Sequence, residues 1–451
     1  MSVRLKRLRL TNYRCFGECE VTFHSELTVL VADNGRGKTA IMDAVATALT
    51  QMTYELSGVN RAAPILLADV RMASDGHKAL TPRTPTVIEV NASIDGTDLD
   101  WRCERKEYAA YPKRSKLNIW GLTAACLKWL SRWSAQEAAR DSLVLPITAY
   151  YTSNRFAAPS DPNRRVSSHL GLKRVPPGSY PDVMPPEFDS KKFEAWYEQQ
   201  VTAIRAHAPA RMMRLEPYLD QLTAVRMAVD DALRPTGWGT IDWDAEQKCV
   251  VVEHPDQGRL PLGMLSSGVR NMVALTADLA HRCARLNFRL GKDAARLTPG
   301  VVLIDEVDLH LHPAWQQQVV GLLRRAFPAM QFILSTHSPQ VLSTVKAESI
   351  RVIKSADGVG QIVTPKFQTC GVESADVLAT IMEVDPIPQV LEAEMLSRYR
   401  ALVEDGTHDG DDGRDLRQKL VAHFGDEHPL ILDCDRLIRF SQFKRRAAVG
   451  A

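Results

Sequence analysis

A glycine-rich stretch, residues 32–39 (ADNGRGKT), ends in a lysine and a threonine. Glycines allow backbone N–H groups to turn inward toward phosphate oxygens. Lys38 can neutralise the β and γ phosphates of a nucleotide, and the hydroxyl of Thr39 can bind Mg²⁺. Ala32 stands where the usual pattern has its first glycine, but this change removes no phosphate-contacting group. The residues predicted to bind the nucleotide are Asn34, Gly35, Arg36, Gly37, Lys38, Thr39 and Ala40.

An apolar run that ends in two acids, residues 300–306 (GVVLIDE), predicts a strand buried on both faces. Ligands bind at the carboxyl ends of strands in parallel α/β sheets, which is where Asp305 and Glu306 would lie. We predict that Asp305 holds Mg²⁺ through its water shell, and that Glu306 orients or deprotonates the attacking water. Lys38 in the same chain favours this interpretation over two solvated acids at a strand end.

A second apolar run, Phe332–Ser335, is followed by Thr336 and His337. At the end of a strand beside the carboxylates, His337 is predicted to donate a hydrogen bond to the γ-phosphate, and we count it with Lys38 and Glu306 as catalytic. His310 and His312 lie two residues apart without a third ligand nearby, so they are predicted to be structural and not metal ligands.

The segment Leu265–Arg270 precedes a long helical pattern. Ser266 suits the N-cap of that helix. A helix N-terminus that carries Ser and Gly is equally suited to an anion. The residues alone leave both interpretations open.

The elements that must position these residues follow from periodicity. Strands are predicted at 3–10, 27–31, 145–151, 301–304 and 332–335, the last of them taken as the final buried strand, with hairpins at 87–105 and 240–253. Helices are predicted at 40–49, 117–143, 188–233, 264–286, 315–327, 375–381, 389–404 and 414–424, and a Pro- and Arg-rich loop at 154–186. Alternation of strands and helices predicts a parallel sheet with crossover helices.

The order of the motifs resembles the soluble branch of the ABC ATPase superfamily, which includes RecF and SMC proteins and the overcoming-lysogenization-defect nucleases. The resemblance covers about residues 1–50 and 240–345. It implies an α/β fold, an ABC-type ATPase head with a mixed or parallel sheet flanked by helices, which hydrolyses ATP with Mg²⁺. It also implies a dimer with two ATPs between the subunits.

In such a dimer Ser266 and Gly268 would contact the γ-phosphate bound to the other protomer. Asp308 would match the acid of the D-loop, and His337 the switch histidine. Ser267 and Val269 depart from the usual signature residues, glycine and Gln or Glu. A glutamine equivalent to the Q-loop is not assigned.

A narrower resemblance is carried by LKRLRLTNYRCF at the start, residues 150–155 (YYTSNR), LIDEVDLHLHP, ILSTHSPQVL and GDEHP near the end. These strings are similar to the ATPases of Septu anti-phage systems and of some retrons. This resemblance implies a partner HNH nuclease made by a neighbouring gene. It also implies dimers or higher oligomers that restrain or license the nuclease.

Four segments are predicted along the chain. Residues 1–115 form the N-terminal part of the ATPase domain and 116–238 a helical insertion with the Pro/Arg-rich loop. Residues 239–375 contain the signature, the carboxylate strand and His337, and 376–451 form a small α-helical region for a partner or for oligomerisation.

Four other classes of protein are weighed against this prediction. A transporter subunit would have a compact insert and a clear Q-loop, and a structural-maintenance protein would have long heptad arms. A self-contained nuclease would need a metal-binding domain after His337, whereas Asp409, Asp411 and Asp412 lie in a loop broken by glycine. A RecF-like repair ATPase without arms, acting on DNA, remains the alternative.

The 451 residues carry a net charge of only +2, so any contact with DNA or RNA must come from local clusters. Basic residues with tyrosines gather at 102–116, and a second basic group lies at 164–174. Either cluster could contact phosphates or form a solvated face. Eight scattered cysteines without a CxxC pair, the lack of a signal-peptide pattern and the lack of a long apolar run predict a cytoplasmic protein that does not enter a membrane.

Overall fold

A computed structural model describes residues 1–57, 64–74, 80–109, 119–135, 143–153, 190–207, 216–356 and 359–449. The chain divides into two compact units, Met1–Val377 and Leu378–Ala451. The four predicted segments stay a prediction. The first unit contains the ten-stranded mixed sheet with flanking helices, which confirms the predicted α/β class.

The strands belong to three sheets. They are β1 Val3–Tyr13, β2 Phe16–Thr22, β3 Leu27–Val31, β4 Met72–Ser74, β5 Leu80–Pro82, β6 Thr86–Ile94, β7 Thr97–Arg105, β8 Ile147–Tyr151, β9 Gly239–Asp244, β10 Cys249–His254, β11 Gly258–Pro261, β12 Gly300–Ile304, β13 Met330–Ser335, β14 Ile350–Ala356 and β15 Val359–Val363. The large sheet has the order β7-β6-β1-β2-β15-β14-β3-β13-β12-β8.

One half of this sheet is parallel and buried. The strands β8, β12, β13, β3 and β14 pair side by side in parallel. Every residue of β3, β8, β12 and β13 is buried, as their apolar composition predicts. The prediction that 332–335 is the final strand is wrong, because β14 and β15 follow it. Charged and polar residues interrupt the apolar pattern of β14 and β15, and this hid both strands.

The other half of the sheet is antiparallel. The strands β2, β1, β6 and β7 pair as hairpins and neighbours, with apolar side chains alternating with polar ones. The β6–β7 turn places Asp95 at φ 48° and Gly96 at φ 79°, the backbone of a two-residue hairpin turn. The predicted hairpin at 87–105 is confirmed.

Two small sheets complete the strands. The predicted hairpin at 240–253 forms as β9 and β10, and a third strand that was not predicted, β11, pairs with β10. The two-stranded ribbon of β4 and β5 was also not predicted.

The helices are α1 Lys38–Ser57, α2 Trp120–Ala135, α3 Ser190–His207, α4 Glu216–Leu233, α5 Ser267–Leu286, α6 Ala294–Leu297, α7 Pro313–Gln316, α8 Val319–Ala326, α9 Pro339–Leu342, α10 Ser374–Thr380, α11 Leu391–Asp405, α12 Asp411–Phe424 and α13 Pro429–Val449.

Three helical predictions need correction or fall outside the described ranges. The helix predicted at 188–233 is described as two, α3 and α4, on either side of 208–215. The helix predicted at 315–327 is broken between α7 and α8, where Gln318 has a φ of −114°. The loop predicted at 154–186 lies outside the described residues.

The second unit is a small helical cluster of its own. Its core is formed by Leu396, Tyr399, Val403, Leu416, Leu420, Ile431 and Cys434 of α11, α12 and α13. Arg417 of α12 pairs with Asp435 of α13 at 2.7 Å. The last helix, α13, continues to Val449. No helix in the described ranges of either unit is long and apolar enough to cross a membrane.

Candidate functional site

The glycine-rich stretch forms the turn between β3 and α1. Gly35 has a φ of 75° and Gly37 a φ of 101°, which side chains rarely adopt. A Cβ atom on Gly37 would lie 2.3 Å from the ring of Phe16 and 2.8 Å from the sulfur of Cys15. The turn between β1 and β2 therefore packs directly on this loop, and position 37 has no room for a side chain.

Lys38 is the first residue of α1 and is 7% exposed. Its Nζ donates hydrogen bonds to the carbonyl oxygens of Ala32, at 2.8 Å, and Asp33, at 3.3 Å. Burial lowers the pKa of Lys38, and the carboxylates of Asp305 and Glu306 oppose that shift. Ala32 contributes its carbonyl oxygen to this arrangement, so the missing glycine does not change it.

Asp305 follows β12 and is 2% exposed. Thr39 Oγ1 donates to Asp305 Oδ2 at 3.0 Å, and Ser335 Oγ donates to Asp305 Oδ1. The backbone N–H of Asp305 also donates to the carbonyl oxygen of Tyr151, at 2.8 Å. The end of β12, the first turn of α1 and the ends of β8 and β13 thus meet at Asp305. Hydroxyl and carboxylate oxygens are the ligands that Mg²⁺ prefers, so Thr39 and Asp305 fit this ion.

Glu306 has a φ of 49°, in the left-handed region. Such a conformation is strained for a residue with a side chain, and strain of this kind clusters at functional sites. Its backbone N–H donates to Ser335 Oγ at 2.8 Å, and its carbonyl oxygen accepts from the N–H of Leu309 at 2.9 Å. The tight turn after β12 is thereby held against the end of β13.

Asp308 and His337 are brought to the same edge. Thr336 Oγ1 donates to Asp308 Oδ1 at 2.5 Å, directly before His337 in the chain. His337 is half-buried, and its pKa is lowered by burial and next by the nearby Lys38, with Asp308 acting in the opposite direction. The imidazole is therefore neutral at pH 7 and can donate one N–H.

The signature residues differ sharply in exposure. Ser266 occupies the N-cap position of α5, is exposed, and its side chain makes no capping hydrogen bond. Gly268 is buried, and a Cβ atom there would lie 2.7 Å from the carbonyl oxygen of His310. Asn271 Nδ2 donates to the carbonyl oxygen of Leu309 at 2.7 Å. The start of α5 therefore packs against the loop that follows Glu306.

A charged network beneath α1 was not found from the sequence. Arg14 pairs with Asp43 at 2.6 Å and with Asp69 at 2.8 Å. The hydroxyl of Tyr150 donates to Asp43 Oδ1 at 2.8 Å. Arg14 and Tyr150 stand in two of the strings that carry the family resemblance, which was the available signal. Because Arg14 and Tyr150 both bind Asp43 of α1, they position the helix that begins at Lys38.

The remaining candidates have structural contacts. His312 caps α7, since its Nδ1 accepts from the N–H of Ala314 at 3.3 Å. Arg102 pairs with Glu89 at 3.0 Å, and Arg105 is buried. Lys106 of the first basic cluster is exposed. The other members of the two clusters lie outside the described residues; they are Lys113, Arg114, Lys116, Arg164, Arg165, Lys173 and Arg174.

Two family profiles match the chain. The profile described as "AAA domain" matches residues 7–157. The profile described as "AAA domain, putative AbiEii toxin, Type IV TA system" matches residues 150–343. Together they span the phosphate loop, the signature, the carboxylates and His337.

Three relatives are similar in sequence. The Retron Vc95 probable ATPase of Vibrio cholerae serotype O1 biovar El Tor is 40% identical over 163 residues, 36% of this chain and 31% of that protein. The Retron Ec83 probable ATPase of Escherichia coli is 25% identical over 96% of this chain and 86% of its own length. The Septu protein PtuA of Bacillus mycoides (strain KBAB4) is 43% identical over 103 residues, 23% of this chain and 14% of that protein.

Among solved structures, an SMC head bound to the C-winged helix domain of ScpA aligns with a TM-score of 0.47 and 14% identity, over 80% of this chain and 97% of that chain. The ordered motifs, the two AAA profiles and the retron and Septu relatives identify the chain as an ATPase similar to those of retrons and Septu systems.

Proposed function

We propose that this chain hydrolyses ATP between two copies of itself, and that ATP-dependent pairing controls a separately encoded HNH nuclease in anti-phage defence. One observation carries the proposal. Lys38, Asp305 and His337 converge at one edge of the parallel half-sheet, whereas Ser266 stands exposed with its hydroxyl unused in capping its helix. An exposed Ser266 is accessible to a nucleotide bound to a second copy of the chain.

The loop from Asn34 to Ala40 holds the phosphates with its backbone N–H groups, and Lys38 turns from the loop carbonyls toward them. Thr39 and Asp305 would hold Mg²⁺, and the bound ion would supply positive charge to the phosphate oxygens of ATP.

Glu306 accepts a proton from the attacking water. The strained turn fixes the backbone position from which its carboxylate extends. His337, neutral at pH 7, donates a hydrogen bond to the γ-phosphate. The hydrogen bond from Thr336 to Asp308 holds the D-loop acid next to the residue that precedes the switch histidine.

The second copy contributes Ser266 and the start of α5, where a helix N-terminus favours an anion. Gly268 has two roles in this proposal. It contacts the γ-phosphate of the partner's site, and it allows α5 to pack on the carbonyl oxygen of His310 in its own chain.

The nuclease partner is supported by the retron and Septu relatives. The segment predicted for partner binding, residues 376–451, also exposes large apolar side chains on α13, among them Leu432, Phe440 and Phe443. Exposed apolar side chains on one helix are typical of a contact surface.

Pairing is tested with Ser266→Arg, followed by light scattering with and without ATP. We expect the wild type to pair on ATP and the variant to remain single while its melting temperature is unchanged. Thr97→Arg at the exposed start of β7 is the matched control and should pair normally. Equal pairing of both variants would exclude the shared site.

The partner is tested by co-expressing the full chain with the product of the adjacent gene. Co-purification of a nuclease, with cleavage that changes between the wild type and Glu306→Gln, supports the proposal. If no nuclease is retained and duplex DNA stimulates ATP hydrolysis, the chain is a RecF-like repair ATPase instead.

A further inference from the structure

Two adjacent buried tyrosines end β8, and their hydroxyls contact different helices. Successive side chains of a strand point to opposite faces of the sheet. The hydroxyl of Tyr150 donates to Asp43 of α1 at 2.8 Å. The hydroxyl of Tyr151 donates to Asp278 of α5 at 2.8 Å. The end of one strand therefore holds the helix that follows the phosphate loop on one face and the helix that follows the signature on the other.

The backbone of Tyr151 belongs to the ATP site. The strands β8 and β12 pair in parallel, and Tyr151 lies opposite Ile304. The carbonyl oxygen of Tyr151 accepts the N–H of Asp305 at 2.8 Å. Through its backbone this residue contacts the strand that ends at the candidate Mg²⁺ ligand, and through its side chain it contacts α5.

The carboxylate that accepts from the Tyr151 hydroxyl is buried and paired. Asp278 is 8% exposed, and its Oδ2 also accepts from Arg282 Nε at 2.7 Å. Burial raises the pKa of Tyr151, and the charge of Asp278 acts in the same direction, so the hydroxyl keeps its proton. Hydrogen bonds to a carboxylate are charge-assisted and strong, so this contact fixes α5 against the end of β8.

The start of α5 is held at a second place. Asn271 Nδ2 donates to the carbonyl oxygen of Leu309, at 2.7 Å, in the loop that follows the carboxylates. Asp278 lies about 18 Å along the helix from Ser266, since each residue of a helix adds about 1.5 Å. A helix that is held at two points has a fixed direction. The position of Ser266 therefore depends on the contact with Tyr151 as well as on the contact near the helix start.

We propose that Tyr151 is a positioning residue, which sets where Ser266 is presented to a nucleotide bound to a second copy of the chain. Its neighbour Tyr150 acts on a different step, because its hydroxyl positions α1 and the phosphate loop. The Tyr151 hydroxyl thus contributes to pairing, and the Tyr150 hydroxyl contributes to ATP binding. This inference rests on the proposed ATP-dependent pairing, and it names the residue that joins a chain's own ATP site to the serine offered to its partner.

A purely structural role of Tyr151 predicts a different result. Loss of a buried hydrogen bond lowers stability, whereas loss of a positioning contact changes one binding step and leaves the other. Tyr197 is the matched control, because it is also buried and its hydroxyl donates to the carbonyl oxygen of Ile241 at 3.0 Å. Tyr197→Phe should lower the melting temperature by about 2 °C and leave ATP binding and pairing within about twofold.

The test measures two quantities on the full chain. Affinity for ATP is measured by equilibrium dialysis in the Ser266→Arg background, in which the chains are expected to remain single. Pairing is measured by light scattering at saturating ATP over a range of protein concentrations. We expect Tyr151→Phe to weaken pairing by about tenfold and to change ATP affinity by less than about twofold. Tyr150→Phe should weaken ATP affinity by about threefold and pair within about twofold of the wild type.

The carboxylate on α5 gives a second comparison. Asp278→Asn keeps an oxygen that can accept from the Tyr151 hydroxyl, so it should pair within about threefold of the wild type. Asp278→Ala removes the acceptor and should pair as weakly as Tyr151→Phe. These two variants test the same contact from α5 if the tyrosine variant does not fold.

Three results would contradict the inference. If Tyr151→Phe pairs like the wild type, or loses ATP affinity as strongly as it loses pairing, the positioning role is overturned. If Tyr150→Phe shows the same pattern as Tyr151→Phe, the assignment of the two hydroxyls to separate steps is overturned. If the wild-type chain itself does not pair on ATP, the proposed function is wrong and this inference is wrong with it.

Discussion

Polar residues lie in different places in the parallel and antiparallel halves of the large sheet. In the parallel half, the polar groups of the candidate site gather at the strand ends, where Thr39, Asp305 and Ser335 share hydrogen bonds. In the antiparallel half, charges lie along an exposed face and pair across strands, as Arg9 does with Glu20 at 2.8 Å. Lys6 pairs in the same way with Asp98, at 2.7 Å.

The difference follows from strand direction. The carboxyl ends of parallel strands meet at one edge of the sheet, so residues that are distant in the chain converge there. The faces of the buried strands are covered by other elements, so the polar side chains of a site lie at this edge. Antiparallel neighbours place opposite charges across from each other, and these pairs neutralise themselves. Substituting the same type of residue in the two halves should therefore have very different effects on ATP binding and hydrolysis.

The largest contrast is between two basic residues. We expect Lys38→Ala to abolish ATP binding at the phosphate loop in equilibrium dialysis, because no other side chain is assigned to neutralise the β and γ phosphates. Arg9→Ala should leave ATP affinity within about twofold, since exposed ion pairs contribute little. Normal ATP binding by the Lys38 variant would place the nucleotide elsewhere.

The next contrast is between two glutamates. Glu306→Gln should lower the rate of ATP hydrolysis by about 100-fold or more, because the amide cannot accept a proton from water. The variant should accumulate as an ATP-bound dimer in size-exclusion chromatography. Glu89→Gln, on β6 beside Arg102, should hydrolyse normally. Wild-type turnover by the Glu306 variant would refute the assigned mechanism.

A smaller effect is expected at the helix that approaches the parallel half. Gly268→Ala places a Cβ atom 2.7 Å from the carbonyl oxygen of His310, a backbone atom that moves only with its loop. We expect a melting temperature lower by about 2 °C or more. Hydrolysis should slow by about tenfold, because the displaced loop follows Glu306.

Gly263→Ala is the control for this packing effect, since a Cβ atom there has nothing within 4 Å. It should melt and hydrolyse like the wild type. If the Gly268 variant melts normally without ATP but fails to pair, this glycine acts only through its contact with the other subunit.

The smallest expected effect is the dependence of hydrolysis on pH. The pKa of His337 is lowered by burial, so the neutral form persists below the ordinary value and is lost only as the pH falls through the lowered one. The rate at saturating ATP should therefore change less than about twofold between pH 7.5 and 6.5. A transition centred near pH 6.5 that disappears in His337→Gln would show that the imidazole titrates normally.

Local patterns predicted the parts of the site that are continuous in the chain. The phosphate loop follows a strand and opens a helix as expected, and the carboxylates end an apolar strand. The weaker patterns failed in identifiable ways. Polar residues in β14 and β15 hid two strands, and Gln317 and Gln318 carried no signal that a helix breaks there.

The sequence by itself determined the chemistry of this protein, because the residue types of a phosphate loop and a carboxylate strand are constrained over a few adjacent positions. Only the tertiary structure decided which residues meet. Thr39 and Asp305 are 266 positions apart, and Tyr150 and Asp43 are 107 apart. Such contacts depend on strand order and on the packing of helices across the sheet, which no local pattern encodes.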